Sequence, residues 1–242
     1  MNLRNIIVFV ALICVTLTCE ILAISNSNGG IRAYETFISR GLVTLILAAW
    51  YFKMQEPPLT TLHWNFLLTL LIPFMIGFSR YLLPDYLAII AITFFYLSSY
   101  ILWILLFKNL GAKLSVSKFP ALDFIIILFI FSIPYLYYFI VLFPMLQNIN
   151  IILVFLFAIF ISITSVTVLF LPKTKYISGR YFLIFGIWLA GFTHMMESYY
   201  HFNNEGLFIY PFARILQTSS LIFLLVGMTE YCKQNSRIVT EN

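Results

Sequence analysis

Residues 149–171 read INIILVFLFAIFISITSVTVLFL, with no ionisable side chain among them. A helix needs roughly 20 apolar residues to cross the hydrocarbon core of a bilayer, and this run exceeds that length. It is continuous rather than alternating, so it does not read as a barrel strand. In lipid the backbone groups must be satisfied within the segment, which leaves a helix. Working outward, the same reading applies to seven more stretches, at about 5–24, 35–53, 63–83, 85–107, 121–144, 180–200 and 208–231. The stretch at 35–53 is the weakest, because it contains Glu35 and Arg40. The sequence therefore predicts an all-α, polytopic membrane bundle of about eight transmembrane helices, with residues 1–242 forming a single transmembrane domain.

Composition agrees with that reading. The chain is 62% hydrophobic and only 10% charged, where soluble domains carry about 25% charged residues. So few polar side chains cannot cover the surface of a protein this small in water. The connections between runs are short and leave no room for a separate domain. With the N-terminus inside, one face receives Arg4, Lys53, Lys108, Lys113, Lys118, Lys173, Lys175, Arg180, Lys233 and Arg237, while the opposite loops hold little beyond Arg32 and the span-end Arg80. The positive-inside rule then places both termini in the cytoplasm. The Phe-, Ile- and Asn-rich usage points to a bacterial inner membrane. An alternative reading makes the first run a signal peptide cut near Ala23-Ile24-Ser25. A lipobox at Cys19 is spoiled by Thr16, and the run is taken as a retained helix.

Several classes are excluded. Cys14, Cys19 and Cys232 form neither a disulfide framework nor a zinc spacing. No P-loop or dinucleotide fingerprint is present, so no cofactor is expected. The charge of +5 belongs to cytoplasmic loops rather than to nucleic-acid binding. Membrane lipids are the expected partners, with a lysolipid or another anionic amphiphile as ligand. No feature names a protein partner.

Ionisable groups at membrane depth default to function. Glu20, Arg40, Arg80, His194, Glu197 and Arg214 lie late in outward-running or early in inward-running helices, and Gln217 follows Arg214 by about one turn. At about 1.5 Å per residue, the six fall within ~10 Å of the outer interface. Two readings stand side by side. In one, the six converge on a polar pocket in which arginines take a phosphate head group. In the other, they form structural ion pairs or snorkel to the interface. His194, Glu197 and His201 share one helical face. A metal site on that face would want a second copy of the motif on a partner helix, and there is none, so no metal is assigned. His194 reads better as a general acid and base, because an unperturbed histidine titrates near neutrality. Ser98-Ser99 lies nearer mid-membrane and reads as small-residue helix packing.

Four stretches together resemble the YhhN-like family of eight-helix membrane proteins, whose characterised members are lysoplasmalogenases. AYETFISRGLVTLILAAW (33–50) carries Arg40-Gly41 where that family has Lys-Pro. IGFSRYLLPDYLAIIAITFFYLSSYILW (76–103) carries Arg80 near the family's Gly-Asp, and Ser99, between Phe95 and Tyr100, at its histidine. LAGFTHMMESYYHF (189–202) has His194 in place of an aspartate, and YPFARILQ (210–217) has Arg214 in place of a glutamine. The resemblance implies hydrolysis of a lysoplasmalogen vinyl ether. Catalysis would fall to His194 and Glu197, and substrate binding to Glu20, Arg40, Arg80, Ser99, Arg214 and Gln217. Without the two aspartates, the same fold also fits a non-catalytic bundle that binds a lipid or anion or scaffolds a partner.

Overall fold

The computed structural model describes residues 3–26, 33–55, 59–113, 121–147, 149–172, 177–203 and 209–240. All secondary structure among these is helical. Among the described residues there are eight α-helices: α1 Leu3–Asn26, α2 Ala33–Met54, α3 Thr61–Leu82, α4 Asp85–Asn109, α5 Ala121–Tyr137, α6 Ile149–Thr167, α7 Ile177–Asn203 and α8 Ile209–Thr240. Each expected run is thus a helix. Helix α5 continues through a π-helical turn, Tyr138–Leu142, into a 3-10 turn, Phe143–Met145, and α6 ends in a 3-10 turn, Val168–Phe170.

Among the described residues, five helical stretches are long and apolar enough to cross a membrane. They are Thr61–Ser79, Leu87–Asn109, Phe124–Met145, Asn150–Phe170 and Ile209–Cys232. Helix α1 contributes a shorter apolar run, Ile6–Leu22. Helices α2 and α7 fall outside the set, and they carry Arg40 and Lys53, and Arg180, His194 and Glu197, respectively. The chain is therefore a multi-pass α-helical membrane protein.

The fold divides into two compact units, Met1–Tyr96 and Leu97–Asn242, with the division inside α4. In the first unit α2 packs between α1 and α3. Phe9 of α1 stacks on Trp50 of α2 with ring centroids 5.6 Å apart. Tyr51 of α2 meets Phe66 of α3 at 4.6 Å. Leu47, Tyr51, Phe66 and Leu70 form the fully covered centre. Thr60 starts α3, and its N–H donates to His63 Nδ1 at 3.2 Å in a capping-box arrangement.

In the second unit α5 and α6 enclose a core of Tyr138, Leu142, Leu146, Val154 and Ala158. Two tyrosines fasten the end of α5 and the π-helical turn that follows it: Tyr137 Oη donates to the Met195 carbonyl at 2.9 Å, and Tyr138 Oη to the Ile151 carbonyl at 3.0 Å. Helix α4 ends in a Schellman-type turn, with Gly111 at φ +92° and the Ala112 N–H bonded to the Phe107 carbonyl at 2.9 Å. That end is anchored to α8, because Tyr231 Oη donates to the Leu110 carbonyl at 3.3 Å.

Helices α7 and α8 approach closely enough that glycine is required on both sides. A Cβ on Gly227 would lie 2.8 Å from the Leu183 nitrogen and 3.0 Å from the Gly179 oxygen. One on Gly186 would lie 2.7 Å from Leu224 Cγ. Small residues serve helix pairing in lipid because they let backbones touch where no hydrophobic force separates helix from solvent.

Candidate functional site

The antiparallel register of α7 and α8 places the sequence-assigned groups of the second unit. Leu183 lies against Gly227, and Gly186 against Leu224. At the other end of the pair the Tyr200 and Tyr210 rings meet at 5.6 Å, which fits the same register. With equal rise on both helices, His194 is level with Leu216, and Glu197 with Ala213. Arg214 and Gln217 therefore share the level of Glu197 and His194.

On α8, Arg214 and Gln217 are paired by a bond from Arg214 Nη1 to Gln217 Oε1. The spacing is one helical turn, at which side chains share a face. Arg214 is 2% exposed and Gln217 3%. A guanidinium covered to that degree must be hydrogen-bonded, because leaving a buried charge unpaired costs several kcal/mol.

On α7, His194 is half-buried and sits in an aromatic setting that the sequence did not indicate. Tyr100 Oη of α4 lies 2.7 Å from His194 Nδ1. The two rings are perpendicular, at 86° and 5.7 Å between centroids. Phe157 of α6 closes the corner, 5.6 Å from Tyr100 and 5.9 Å from His194. One turn on, Ser198 Oγ donates back to the His194 carbonyl at 2.8 Å. Met195, Ser198, Tyr137, Tyr138 and Phe157 also line a narrow, mostly apolar crevice with room for about one water molecule. Side chains from α4, α5 and α6 thus meet the 194–198 turn of α7. Neither the Tyr100–His194 contact nor the Tyr137–Met195 bond has a local signature, since their partners lie 94 and 58 residues apart. The one readable hint was a tyrosine next to Ser99 in a mid-membrane stretch.

The other assigned residues are placed as follows. Glu20 and Arg40 belong to the first unit, in the last third of α1 and the first third of α2, and are 3% and 6% exposed. Ser99 lies half-buried at the middle of α4. The side chains of Arg80, near the end of α3, of Glu35 and of His201 lie outside the described residues. Among the described residues no three His, Cys, Asp or Glu side chains gather as a metal-holding group.

No protein-family model, curated protein or solved structure matches the chain. The candidate site holds one covered guanidinium with an amide partner on α8, one imidazole of α7 held by a phenol of α4, and one carboxylate a turn further along α7.

Proposed function

We propose that the chain spans the membrane eight times with both termini in the cytoplasm, is a divergent protein of the YhhN-like lysoplasmalogenase type, and hydrolyses the vinyl-ether bond of a lysolipid. The observation that carries this reading is the common level of His194, Glu197, Arg214 and Gln217 on the α7–α8 pair. Vinyl-ether hydrolysis needs a proton delivered to the outer vinyl carbon, then water added to the resulting oxocarbenium carbon. The hemiacetal so formed collapses to an aldehyde and the free glycerol hydroxyl. His194 as imidazolium gives the first proton and as imidazole takes one from the attacking water. Glu197, a turn along the same helix, supports the imidazolium charge. Arg214 takes the phosphate of the head group, for which its planar fork is suited.

A second reading is a non-catalytic lipid- or anion-binding bundle. It is favoured by Arg80 and His194 standing where the resembled family has aspartates. One experiment separates the two. Purified protein is given a panel of lysoplasmalogens, and aldehyde release is measured for wild type, His194→Ala and Glu197→Ala. The hydrolase reading expects release from wild type, a drop of at least about a hundredfold in His194→Ala, as for loss of a general acid, and a smaller drop in Glu197→Ala. Lysolipid binding without aldehyde supports the second reading and sinks the first. Release that is unchanged in both variants removes the mechanism.

A further inference from the structure

The geometry points to Tyr100 as the positioning residue that orients the His194 imidazole and fixes which ring nitrogen exchanges protons. This deepens the proposed role of His194 and rests on it. Tyr100 is 2% exposed, so its ring is covered by protein on nearly every side. Its hydroxyl lies 2.7 Å from Nδ1 of His194, a short hydrogen bond for an O–H/N pair. The perpendicular ring contact fixes the plane of the imidazole as well as its distance. Phe157 packs against both rings and closes one side of the contact.

The consequence is a division of labour between the two ring nitrogens. With Nδ1 held by the phenol, Nε2 becomes the exchanging atom. In the imidazolium, Nδ1–H donates to the Tyr100 oxygen, and the proton on Nε2 goes to the vinyl carbon. In the neutral tautomer with the proton on Nδ1, that N–H donates to the phenol oxygen and Nε2 carries the lone pair that accepts a proton from the attacking water. One proton leaves and one returns at the same atom, and the tyrosine gains or loses none. A histidine free to rotate would spread the proton over two tautomers and two ring orientations.

The test uses full-length protein in lipid nanodiscs with 15N-labelled histidine. There are three histidines, and the His194→Ala spectrum identifies the resonances of His194. Tyr100→Phe removes only the hydroxyl and keeps the ring against Phe157, whereas Phe157→Leu removes ring packing and keeps the hydroxyl. The expected result is a shift of the His194 Nδ1 resonance in Tyr100→Phe, with His63 and His201 unmoved and little change in Phe157→Leu. Turnover in Tyr100→Phe should fall about tenfold at unchanged KM. An unmoved His194 resonance overturns the inference. So does an equal shift in Phe157→Leu, which would assign the orientation to packing. Turnover equal to wild type despite a shifted resonance overturns the positioning role in catalysis. A shifted resonance in a protein whose wild type releases no aldehyde leaves Tyr100 as the orienting residue and defeats the hydrolase reading alone.

Discussion

Arg180 stands near the start of α7 and reaches back to the end of α6. Its Nε donates to the Leu171 carbonyl at 3.0 Å, and an Nη nitrogen to the Leu169 carbonyl at 2.7 Å. These carbonyls lie at and just beyond the 3-10 turn Val168–Phe170, where a helix end leaves acceptors without intrahelical donors. The negative end of the helix dipole adds to the attraction. Two bonds from a charged donor are worth roughly 1.5–3 kcal/mol each at most, and screening reduces the sum for a partly exposed side chain. Arg180→Ala should therefore lower stability by about 2 kcal/mol, and Arg180→Lys should restore only part of it, because an ammonium lacks the fork that reaches two carbonyls. Thermal unfolding in detergent micelles checks this, and equal melting temperatures for wild type and Arg180→Ala would refute it. In the sequence Arg180 is legible only as one more cation on the face that the positive-inside rule expects to be cytoplasmic. Its capping role depends on how α6 terminates, and nothing in the letters around Leu171 announces a 3-10 end.

At the level of the helix, the α7–α8 pair is set by contact between backbones. Alanine at Gly227 would press its methyl group on the Leu183 nitrogen and the Gly179 oxygen, which cannot move aside without parting the helices. Alanine at Gly186 would meet Leu224 Cγ at 2.7 Å and Cδ2 at 2.9 Å ahead of the Leu224 nitrogen at 3.1 Å, so most of its clash is with a side chain. Overpacking costs typically 1–3 kcal/mol. Gly227→Ala should fall toward the upper part of that range and Gly186→Ala toward the lower, as measured by unfolding in a mixed micelle. The reverse order would show that side-chain packing, and not backbone approach, controls the pair. The helices themselves were readable because apolar runs such as 149–171 and 85–107 are bounded by charge, proline and glycine. The π-helical turn Tyr138–Leu142 was not readable, since YFIVL is as good an α-helix as its neighbours, and what marks the turn is a backbone bond, the Phe143 N–H reaching back five residues to the Tyr138 carbonyl. The Arg214–Gln217 pair was half legible: one turn of spacing puts both on one face, but which atoms meet is a matter of side-chain torsions. Tyr100 went unassigned because its partner belongs to another helix altogether.

At the scale of the whole chain, the distribution of lysine and arginine predicts where each loop lies. Reporter fusions at both termini and within 56–58 and 173–176 should all read as cytoplasmic, and fusions within 27–32 and 204–208 as external, because basic residues near span ends fix orientation. Opposite signals from the two termini would mean an odd number of spans and would defeat the eight-span reading. Such a result would bear first on α2 and α7, the helices whose charged residues dilute their apolar character. The glycine contacts of α7 and α8 also bear on how the polar end is kept in order. Gly227 and Arg214 are about 20 Å apart along α8 at 1.5 Å per residue. The close glycine contacts lie at Gly179, Gly186 and Gly227, toward one end of the pair, and His194, Glu197, Arg214 and Gln217 lie toward the other. The two helices work like a pair of rulers pinned at their zero marks: a slip of a single graduation at the pin carries the guanidinium 1.5 Å past its neighbours, so the accuracy of the polar end is set by the smallest residues at the opposite end.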